Sequence, residues 1–552
     1  MVSKKSTNLL NLTKPNLSGY DSHFIITQLD VDSKTINVIP NTGEKFISFT
    51  KYVSNSFQIR FVDTYRFMAT ILEKLVNNLN KGGTSKFKET RKIFNNTDLE
   101  LLTRKGVYPY EYTDKWSKLD ENSLPEKNHF YNILNESDIS GDDYIHEKRV
   151  WENFNCTTLG EYSDLYLKVD VILLCDVFEN FRELCLDTYG LDPNYYFSAP
   201  GMSFDCILKY TEVELELLSD YDKIMMIEQG IREGLTQASM QYARANNIKI
   251  SDYDPSKPES WITYLDATNL EDNPNGFKNK KLVANLKPKK NYVVYYMAKQ
   301  ALKVHRVLKF NQSPWLAKYI ELNTNIRKNA SNDFKKNFFK LMKQCRKTME
   351  NVRNRMNLKL VSDEKASTKS INRNTFKDIT IYNNNLVAVH LFMDVLKFDK
   401  PIYERFSILD LSKTLIYDFH YNCMVKSYGA DIQLMYADTD SLIYYIKTAD
   451  FYADLTNKPN ILNRMDTSNF PISHPCFCND KKKVPGTFTD ETCGEVIEEF
   501  IALRAKSYTY KIVGQEEKIK AKGIRGHVVK FHMTFEDHMK CLFWNDAPLQ
   551  PD

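Results

Sequence analysis

The pattern of apolar positions along the chain predicts helices and strands in alternation. Short apolar runs at residues 24–29 and 57–62 predict strands near the N-terminus. Residues 164–185 repeat apolar side chains at intervals of three and four, which is the spacing of a helix with one buried face. Turn-forming residues are concentrated at 190–201 and mark a candidate domain boundary.

The middle of the chain combines a strand, a polar segment and a basic helix. Residues 261–265 predict a strand that ends on Asp266, and the polar residues 272–291 predict a loop. Apolar residues repeat at helical spacing across 334–356, and the positions between them are mostly Lys, Arg or Asn. This pattern predicts one long amphipathic helix.

Two further helices and a hairpin are predicted in the second half of the chain. The helices are expected near residues 384–396 and 409–428. The sequence LMYADTDSLIYY places a turn between two apolar runs, a pattern that predicts a β-hairpin. The tip of this hairpin carries Asp438 and Asp440.

Length and composition limit the class of protein. A chain of 552 residues is expected to form several domains, since one domain takes about 150 residues. Its contents of 42% hydrophobic and 26% charged residues are typical of a globular protein. No apolar run reaches the roughly 20 residues of a membrane span, and the N-terminal residues lack the apolar stretch of a secretory signal. We therefore expect an intracellular protein without a membrane partner.

Cysteine spacing gives a weak metal signal. The ten cysteines are expected to stay reduced in an intracellular protein. A zinc cluster can be imagined from His474, Cys476, Cys478 and Cys493. Their spacing is poor for zinc ligands, however, and favours an ordinary loop.

Positive charge is concentrated in one segment. The net charge is +4, from 75 Lys and Arg against 71 Asp and Glu. Residues 327–359 contain eleven Lys and Arg, with Asp333 and Glu350 as the acidic residues. Such a segment is typical of a phosphate-binding surface, although a solvated helix face explains the charge equally well.

Three carboxylates at strand ends are candidates for metal chemistry. Asp438 and Asp440 are two residues apart across a tight turn, and taken alone they indicate an exposed acidic hairpin. Asp266 also follows an apolar strand. Carboxylates from separate strand ends are what a two-metal phosphoryl-transfer site requires, with ions about 3.5–4 Å apart.

Basic and aromatic residues add weaker signals. Lys336 and Lys340 are one helical turn apart, as a double contact to a triphosphate requires, although surface lysines have the same spacing. The sequences LRAKSY at 503–508 and KIKAKG at 518–523 place cations beside an aromatic residue, a combination that suits a nucleic-acid backbone.

The order of these motifs resembles family B DNA polymerases. DATNL at 266–270 resembles motif A, KLM at 340–342 the start of the fingers motif, YADTDS at 436–441 motif C, and KSY at 506–508 the K-x-Y primer-gripping motif. Longer phrases, among them ILDLSKTLIYDFHYN and EEFIALRAKSY, are similar to the branch carried by protein-primed viruses and Maverick/Polinton-type mobile elements. The resemblance covers nearly the whole chain.

The resemblance implies a DNA-directed DNA polymerase that adds deoxynucleotides to a primer 3′-hydroxyl with two Mg²⁺ ions. The implied partners are a DNA primer-template, deoxynucleoside triphosphates and a terminal protein primer, in the nucleus or at a viral replication site. The implied catalytic residues are Asp266, Asp438 and Asp440, of which Asp266 and Asp440 hold the metal. Lys336 and Lys340 are implied for the nucleotide, and Lys506, Tyr508 and Lys522 for primer and DNA.

The first segment resembles the 3′–5′ exonuclease domain of the same family, which has an RNase H-like fold. Asn16 and Asp21 match its second motif, and Tyr166 and Asp170 match its third. The first motif, Asp-x-Glu, is missing, since 15 residues stand before Asn16. We therefore expect proofreading to be lost.

The chain also departs from the family pattern at the polymerase motifs. After DATNL it continues with Glu271-Asp-Asn-Pro, where the family has an aromatic residue. The fingers motif is shortened to Lys340-Leu-Met-Lys-Gln-Cys-Arg346, without the family's Asn and Gly. These differences indicate missing segments and make weak activity or none the expectation for this chain.

The predicted fold class is α/β, with an RNase H-like exonuclease domain followed by a palm, fingers and thumb polymerase domain. The rival functions are a catalytically inactive nucleic-acid-binding remnant and a nucleotide-sugar transferase that uses the DTD turn. The independent lysine and K-x-Y motifs argue against the transferase.

The predicted divisions are 1–190 for the exonuclease-like domain, 191–300 for linker and first part of the palm, 301–360 for basic fingers helices, 361–500 for palm with the hairpin, and 501–552 for a truncated thumb region.

Overall fold

The computed structural model describes residues 8–14, 17–29, 36–42, 45–95, 98–134, 136–232, 234–267, 293–294, 305–343, 348 and 350–543. The chain divides into two compact units. The first unit combines Met1–Glu214 with Trp315–Asp399, and the second combines Leu215–Pro314 with Lys400–Asp552. The predicted loop at 272–291 lies outside the described residues, and the predicted five-part division stays a prediction.

The two units are built from the following elements. The described strands are β1 (Asn8–Lys14), β2 (Ile36–Pro40), β3 (Phe46–Ser54), β4 (Phe57–Asp63), β5 (Thr236–Ala238), β6 (Tyr242–Arg244), β7 (Ser260–Ala267), β8 (Asn357–Val361), β9 (Phe376–Asn383), β10 (Leu386–Leu391), β11 (Ile432–Asp438), β12 (Ser441–Lys447), β13 (Met465–Asp466), β14 (Phe488–Asp490), β15 (Ile497–Arg504), β16 (Ser507–Ile512) and β17 (Lys518–Ala521). The described helices are α1 (Ser22–Gln28), α2 (Leu72–Asn80), α3 (Lys88–Ile93), α4 (Leu99–Leu102), α5 (Gly141–Asn153), α6 (Leu159–Tyr189), α7 (Ala199–Thr211), α8 (Tyr221–Gly230), α9 (Ala317–Lys328), α10 (Asp333–Met342), α11 (Glu364–Ile371), α12 (Ile402–Asp418), α13 (Lys426–Tyr428), α14 (Phe451–Asn457), α15 (Pro459–Leu462), α16 (Gly526–Phe531) and α17 (Phe535–Phe543).

The first unit contains two small sheets. One has the order β1-β4-β3-β2, with β1 parallel to β4 and the other pairs antiparallel. The other is antiparallel, with the order β8-β10-β9. Phe46 and Phe49 of β3 share a buried core with Leu358 of β8 and Leu386 of β10. Apolar packing therefore joins residues that are distant in sequence.

The helix α6 is the longest in the part of the chain that the structure describes. Thr158 caps its start by accepting a hydrogen bond from the Glu161 N–H group. Gly190 ends it with a φ of 62°, a left-handed conformation that glycine adopts without a steric penalty. Its buried face includes Val169, Leu173 and Phe181, which confirms the helix predicted over 164–185.

Three predicted elements of the first unit were wrong. Residues 24–29 lie largely in α1 instead of a strand, because a short apolar run fits either element. Residues 384–391 form the turn and the second strand of the β9–β10 hairpin instead of a helix, and Asn383 accepts a hydrogen bond from the Asn385 N–H group at 2.8 Å. The basic helix α10 ends at Met342 instead of continuing to 356. Asn351 accepts from the Arg353 N–H group at 3.0 Å, a local turn that competes with a helix.

The second unit is built on a ten-stranded sheet with the central order β17-β16-β15-β7-β12-β11-β5. Its core is rich in aromatic residues, and Trp261, Tyr444 and Phe500 are almost completely buried. The hairpin predicted around Asp438 and Asp440 is confirmed as β11 and β12. The predicted helix over 409–428 and the strand over 261–265 are also confirmed.

Two kinds of feature are not found among the described residues, namely membrane-spanning helices and groups of metal ligands. None of the described helices is both long enough and apolar enough to cross a bilayer. Within the same residues, no group of three or more His, Cys, Asp or Glu side chains is arranged to hold a metal ion. Cys476 is buried and donates to the Tyr452 carbonyl, whereas Cys478 and Cys493 are exposed.

Candidate functional site

The strand register of the second unit brings the three predicted carboxylates to one end of the sheet. Asp266 on β7 lies opposite Ser441 on β12, and Asp438 on β11 pairs with the same serine. The Ala267 N–H group donates to the Asp440 carbonyl at 2.9 Å. Asp266 therefore adjoins the hairpin tip, although it is distant in sequence.

The hairpin turn has a tightly defined backbone. Thr439 has a φ of 58°, which is uncommon for a β-branched residue. Its N–H group donates to the Leu235 carbonyl at 2.9 Å. A Cβ atom on Gly234 would lie 2.7 Å from Thr439 Cγ2 and 3.0 Å from its Cα. Glycine is thus required where the chain passes this close to the turn.

Hydrogen bonds and one ion pair orient the carboxylates. Ser441 Oγ donates to Asp266 Oδ1 at 2.7 Å. Thr236 Oγ1 donates to Asp438 Oδ1 at 2.8 Å, and Lys506 Nζ lies 3.0 Å from the same oxygen. All three aspartates are half-buried. Asp438 is therefore ion-paired with a lysine of the predicted primer-gripping motif.

Of the predicted primer-gripping motif, Lys506 lies in the turn between β15 and β16, and Tyr508 lies on β16. Lys506 has a φ of 64°, and its N–H group donates to the Tyr436 hydroxyl at 2.7 Å. Burial raises the pKa of Tyr436 to about 12, so this phenol stays neutral. The Lys522 N–H group donates to the Lys506 carbonyl at 2.9 Å. Lys506 is thus held between Asp438 and the backbone of Lys522, and Tyr508 follows it on β16.

A tyrosine next to this site was missed by the sequence analysis. The hydroxyl groups of Tyr264 and Tyr508 are 3.0 Å apart. Burial raises the pKa values of both phenols above their ordinary range. The sequence signal that could have indicated Tyr264 is its position. Tyr264 and Asp266 are two residues apart on one strand, so their side chains share a face of the sheet.

Asp266 and Asp440 are the predicted ligands for a metal ion. Mg²⁺ is usually bound by one or two carboxylates, and water and substrate phosphates complete its coordination. Two half-buried aspartates at adjacent strand ends fit this requirement. Asp438 lies beside them, and its Oδ1 has a lysine and a threonine as partners.

The two lysines of the basic helix belong to the first unit. Phe338, Phe339 and Met342 of α10 are buried, which leaves Lys336 and Lys340 on the polar side, as predicted. Lys336 Nζ lies 3.1 Å from Asp333 in an exposed ion pair. Such a pair contributes little stability and leaves the lysine available for another anion.

The exonuclease-like residues are also in the first unit. Tyr166 and Asp170 share one face of α6 around Lys105, whose Nζ is 2.6 Å from the Tyr166 hydroxyl and 2.7 Å from Asp170 Oδ2. Asp21 immediately precedes α1, and Asn16 lies outside the described residues. Lys105 was missed by the sequence analysis, because it precedes Asp170 by 65 residues and has no local pattern.

Known structures identify the fold. At a TM-score of 0.50 and 13% identity, the chain is similar to phi29 DNA polymerase complexed with primer-template DNA and incoming nucleotide substrates, and the match covers 96% of this chain and 86% of that one. The chain has the fold of a DNA polymerase. The phi29 complex with primer-template DNA alone gives a TM-score of 0.48 with the same identity and coverage. The family B DNA polymerase of Pyrobaculum calidifontis gives a TM-score of 0.31 at 12% identity, with 93% of this chain and 52% of that chain covered.

The sequence comparisons give no match. No protein-family model matches the chain, and no curated protein is similar to it in sequence. At 13% identity, the likeness to the solved polymerase establishes the fold alone. The α/β part of the predicted fold class is therefore confirmed, and the function has to be argued from the site.

Proposed function

We propose that the chain is a DNA-directed DNA polymerase of family B, from the protein-primed branch of viruses and Maverick/Polinton-type elements. The observation that carries the proposal is the position of Asp266 beside the turn that bears Asp438 and Asp440, in a chain with a polymerase fold. Lys506 contacts that turn directly. Carboxylates from two strand ends beside a cation suit phosphoryl transfer better than an isolated acidic hairpin does.

Each residue then has a distinct role. Asp266 and Asp440 would hold Mg²⁺, which when bound neutralises charge on the attacking and leaving oxygens. Lys506 and Tyr508 contact the primer backbone, and Asp438 positions Lys506 through their ion pair. Residues Lys336 and Lys340 bind the phosphates of the incoming deoxynucleoside triphosphate. Positioning and charge neutralisation supply most of the catalysis in phosphoryl transfer.

Primer extension tests the proposal. A labelled primer on a DNA template is incubated with deoxynucleoside triphosphates and Mg²⁺, and we expect slow incorporation that follows the template. Asp440→Asn removes a metal ligand and should abolish incorporation. Asp431→Asn is the matched control, since Asp431 is exposed just before β11, and its activity should equal that of the unsubstituted protein.

A second candidate is an inactive nucleic-acid-binding remnant. It is favoured by the shortened stretch at 340–346, which lacks the family's Asn and Gly. The two candidates separate when DNA binding is measured beside extension. Salt-sensitive binding with no incorporation in the unsubstituted protein would establish the remnant, whereas incorporation lost in Asp440→Asn establishes the enzyme. If the unsubstituted protein shows no DNA binding and no incorporation, both candidates are rejected. A terminal protein primer and lost proofreading are further parts of the proposal.

A further inference from the structure

A turn with three consecutive lysines precedes β14 in the second unit. This lysine turn, residues 479–484, is closed by a backbone hydrogen bond in which the Lys482 N–H group donates to the Asn479 carbonyl at 3.1 Å. Its three lysines stand beside one acidic residue, Asp480. The turn therefore has a net positive charge, and the proposed polymerase residues do not include it.

A buried carboxylate holds the lysine turn in place. Asp466 is 1% exposed, and its Oδ2 atom accepts a hydrogen bond from the Lys483 N–H group at 2.7 Å. Lys483 has a φ of 58°, a left-handed conformation that costs energy in a residue other than glycine. Lys481 Nζ donates to the Asn463 carbonyl at 2.6 Å. The turn is therefore fixed to β13 and to the chain just before that strand.

The strand register places the lysine turn near the three carboxylates. Asp466 on β13 pairs with Thr489 on β14, and Thr489 pairs with Asp266 on β7. Neighbouring strands are about 4.8 Å apart, so about 10 Å separates the backbones of Asp466 and Asp266. Because Lys483 is hydrogen-bonded to Asp466, the lysine turn and the proposed metal ligands lie at the same end of one sheet.

Lys482 is the side chain of this turn that is most accessible to a ligand. It is exposed, whereas Lys481 and Lys483 are half-buried. Within the described part of the chain, no acidic side chain forms an ion pair with Lys482. An ammonium group binds phosphate as a point charge. Lys482 can therefore offset the repulsion between the nearby carboxylates and a polyanion.

We propose that the lysine turn is a phosphate-binding site and that Lys482 binds a backbone phosphate of primed DNA, an inference that rests on the proposed function. A DNA strand has one phosphate for about every 3.4 Å of helix axis. One strand can thus contact the lysine turn and the carboxylate site at the same time. The triphosphate of an incoming nucleotide has the same chemistry and is the alternative source of the phosphate.

Fluorescence anisotropy of a primed template tests the site without turnover. The full chain is titrated with this DNA at several salt concentrations. In Lys482→Gln we expect the log–log salt slope to fall by about one, because one phosphate contact is lost. Lys482→Arg keeps the charge and should keep the slope. Lys447→Gln is the matched control and should also keep it, since Lys447 is exposed at the opposite end of β12.

A second titration identifies the source of the phosphate. Binding of a fluorescent deoxynucleoside triphosphate is measured on the protein with a primed template that ends in a dideoxynucleotide. A smaller salt slope in Lys482→Gln with unchanged triphosphate affinity would assign the site to the DNA backbone. Weaker triphosphate binding with an unchanged slope would assign it to the nucleotide and overturn the DNA contact.

The two titrations also separate this site from the proposed function. Equal slopes and equal triphosphate affinities in Lys482→Gln and Lys447→Gln would overturn the phosphate site alone. Both titrations measure binding, so absence of primer extension in the unsubstituted protein would reject the polymerase and leave a smaller slope in Lys482→Gln as support for the site. Absence of DNA and triphosphate binding in the unsubstituted protein would overturn both.

Discussion

Lys506 Nζ lies 3.0 Å from Asp438 Oδ1, and the two side chains are 32% and 23% exposed. This ion pair joins the β15–β16 turn to the β11–β12 hairpin. Because the pair is partly exposed, its contribution to stability is small. Its main consequence is geometric, since it fixes a cation of the predicted primer-gripping motif next to the proposed metal ligands.

Neutralising Lys506 should weaken DNA binding. Lys506→Gln removes one phosphate contact, so we expect lower affinity and a log–log salt slope reduced by about one. Fluorescence anisotropy of a primed template at several salt concentrations measures both. Lys511→Gln on the following strand, β16, is the control, since Lys511 lies near Glu499 and Glu536. Equal slopes for the two variants would contradict the role of Lys506.

Gly234→Ala should disturb the acidic turn. The new Cβ atom would lie 2.7 Å from Thr439 Cγ2, and relief of such a clash costs about 1–3 kcal/mol. We expect a lower midpoint of chemical unfolding and strongly reduced primer extension. Gly526→Ala is the control, because nothing lies within 4 Å of its added Cβ atom. Unchanged extension in Gly234→Ala would show that the turn tolerates displacement.

The basic helix should contribute to nucleotide binding. In the double variant Lys336→Gln/Lys340→Gln, two cations of α10 are lost, and we expect a raised KM for deoxynucleoside triphosphates and a lower salt dependence of DNA affinity. The matched control is Lys365→Gln/Lys369→Gln, with two exposed lysines four residues apart on α11. If the KM and the salt slope of the double variant equal those of the control, the lysines of α10 contribute to solubility alone.

Proofreading should be absent. Lys105 Nζ lies 2.7 Å from Asp170 Oδ2, so an ammonium group competes with a metal ion for this oxygen. We expect no Mg²⁺-dependent shortening of a labelled single-stranded DNA. The measurement is a time course on a denaturing gel, with Asp170→Ala beside the unsubstituted protein. Shortening that disappears in Asp170→Ala would disprove the expectation.

Alkaline pH should destabilise the second unit. Burial raises the pKa values of Tyr436 and Tyr510 to about 12, against about 10 in the unfolded chain. Between these values the unfolded chain loses protons that the folded chain retains. The contribution of the two phenols to the free energy of unfolding is therefore complete below pH 10 and is lost as the pH rises towards 12. The loss at pH 11 is on the order of 1 kcal/mol per phenol. Denaturant midpoints at pH 8 and pH 11 measure the loss, which should be smaller in Tyr436→Phe/Tyr510→Phe.

Prediction from sequence succeeded where local pattern and burial agree. The α6 helix and the hairpin around Asp438 have clear periodicity, and both are confirmed. Prediction failed at 24–29 and 384–396, where short apolar runs fit a helix or a strand equally well. Neighbouring elements decided these cases, since Ile26 of α1 and Leu386 of β10 belong to the same buried core.

The sequence by itself determined which residues occupy the strand ends, because alternation and turn chemistry are local properties of the chain. It identified Asp266, Asp438 and Asp440 as candidates in this way. Only the tertiary structure decided their neighbours. The Ser441–Asp266 hydrogen bond spans 175 residues of sequence, and the Tyr264–Tyr508 contact spans 244. Such contacts depend on the order and register of strands in the sheet, which side-chain packing across the whole unit selects.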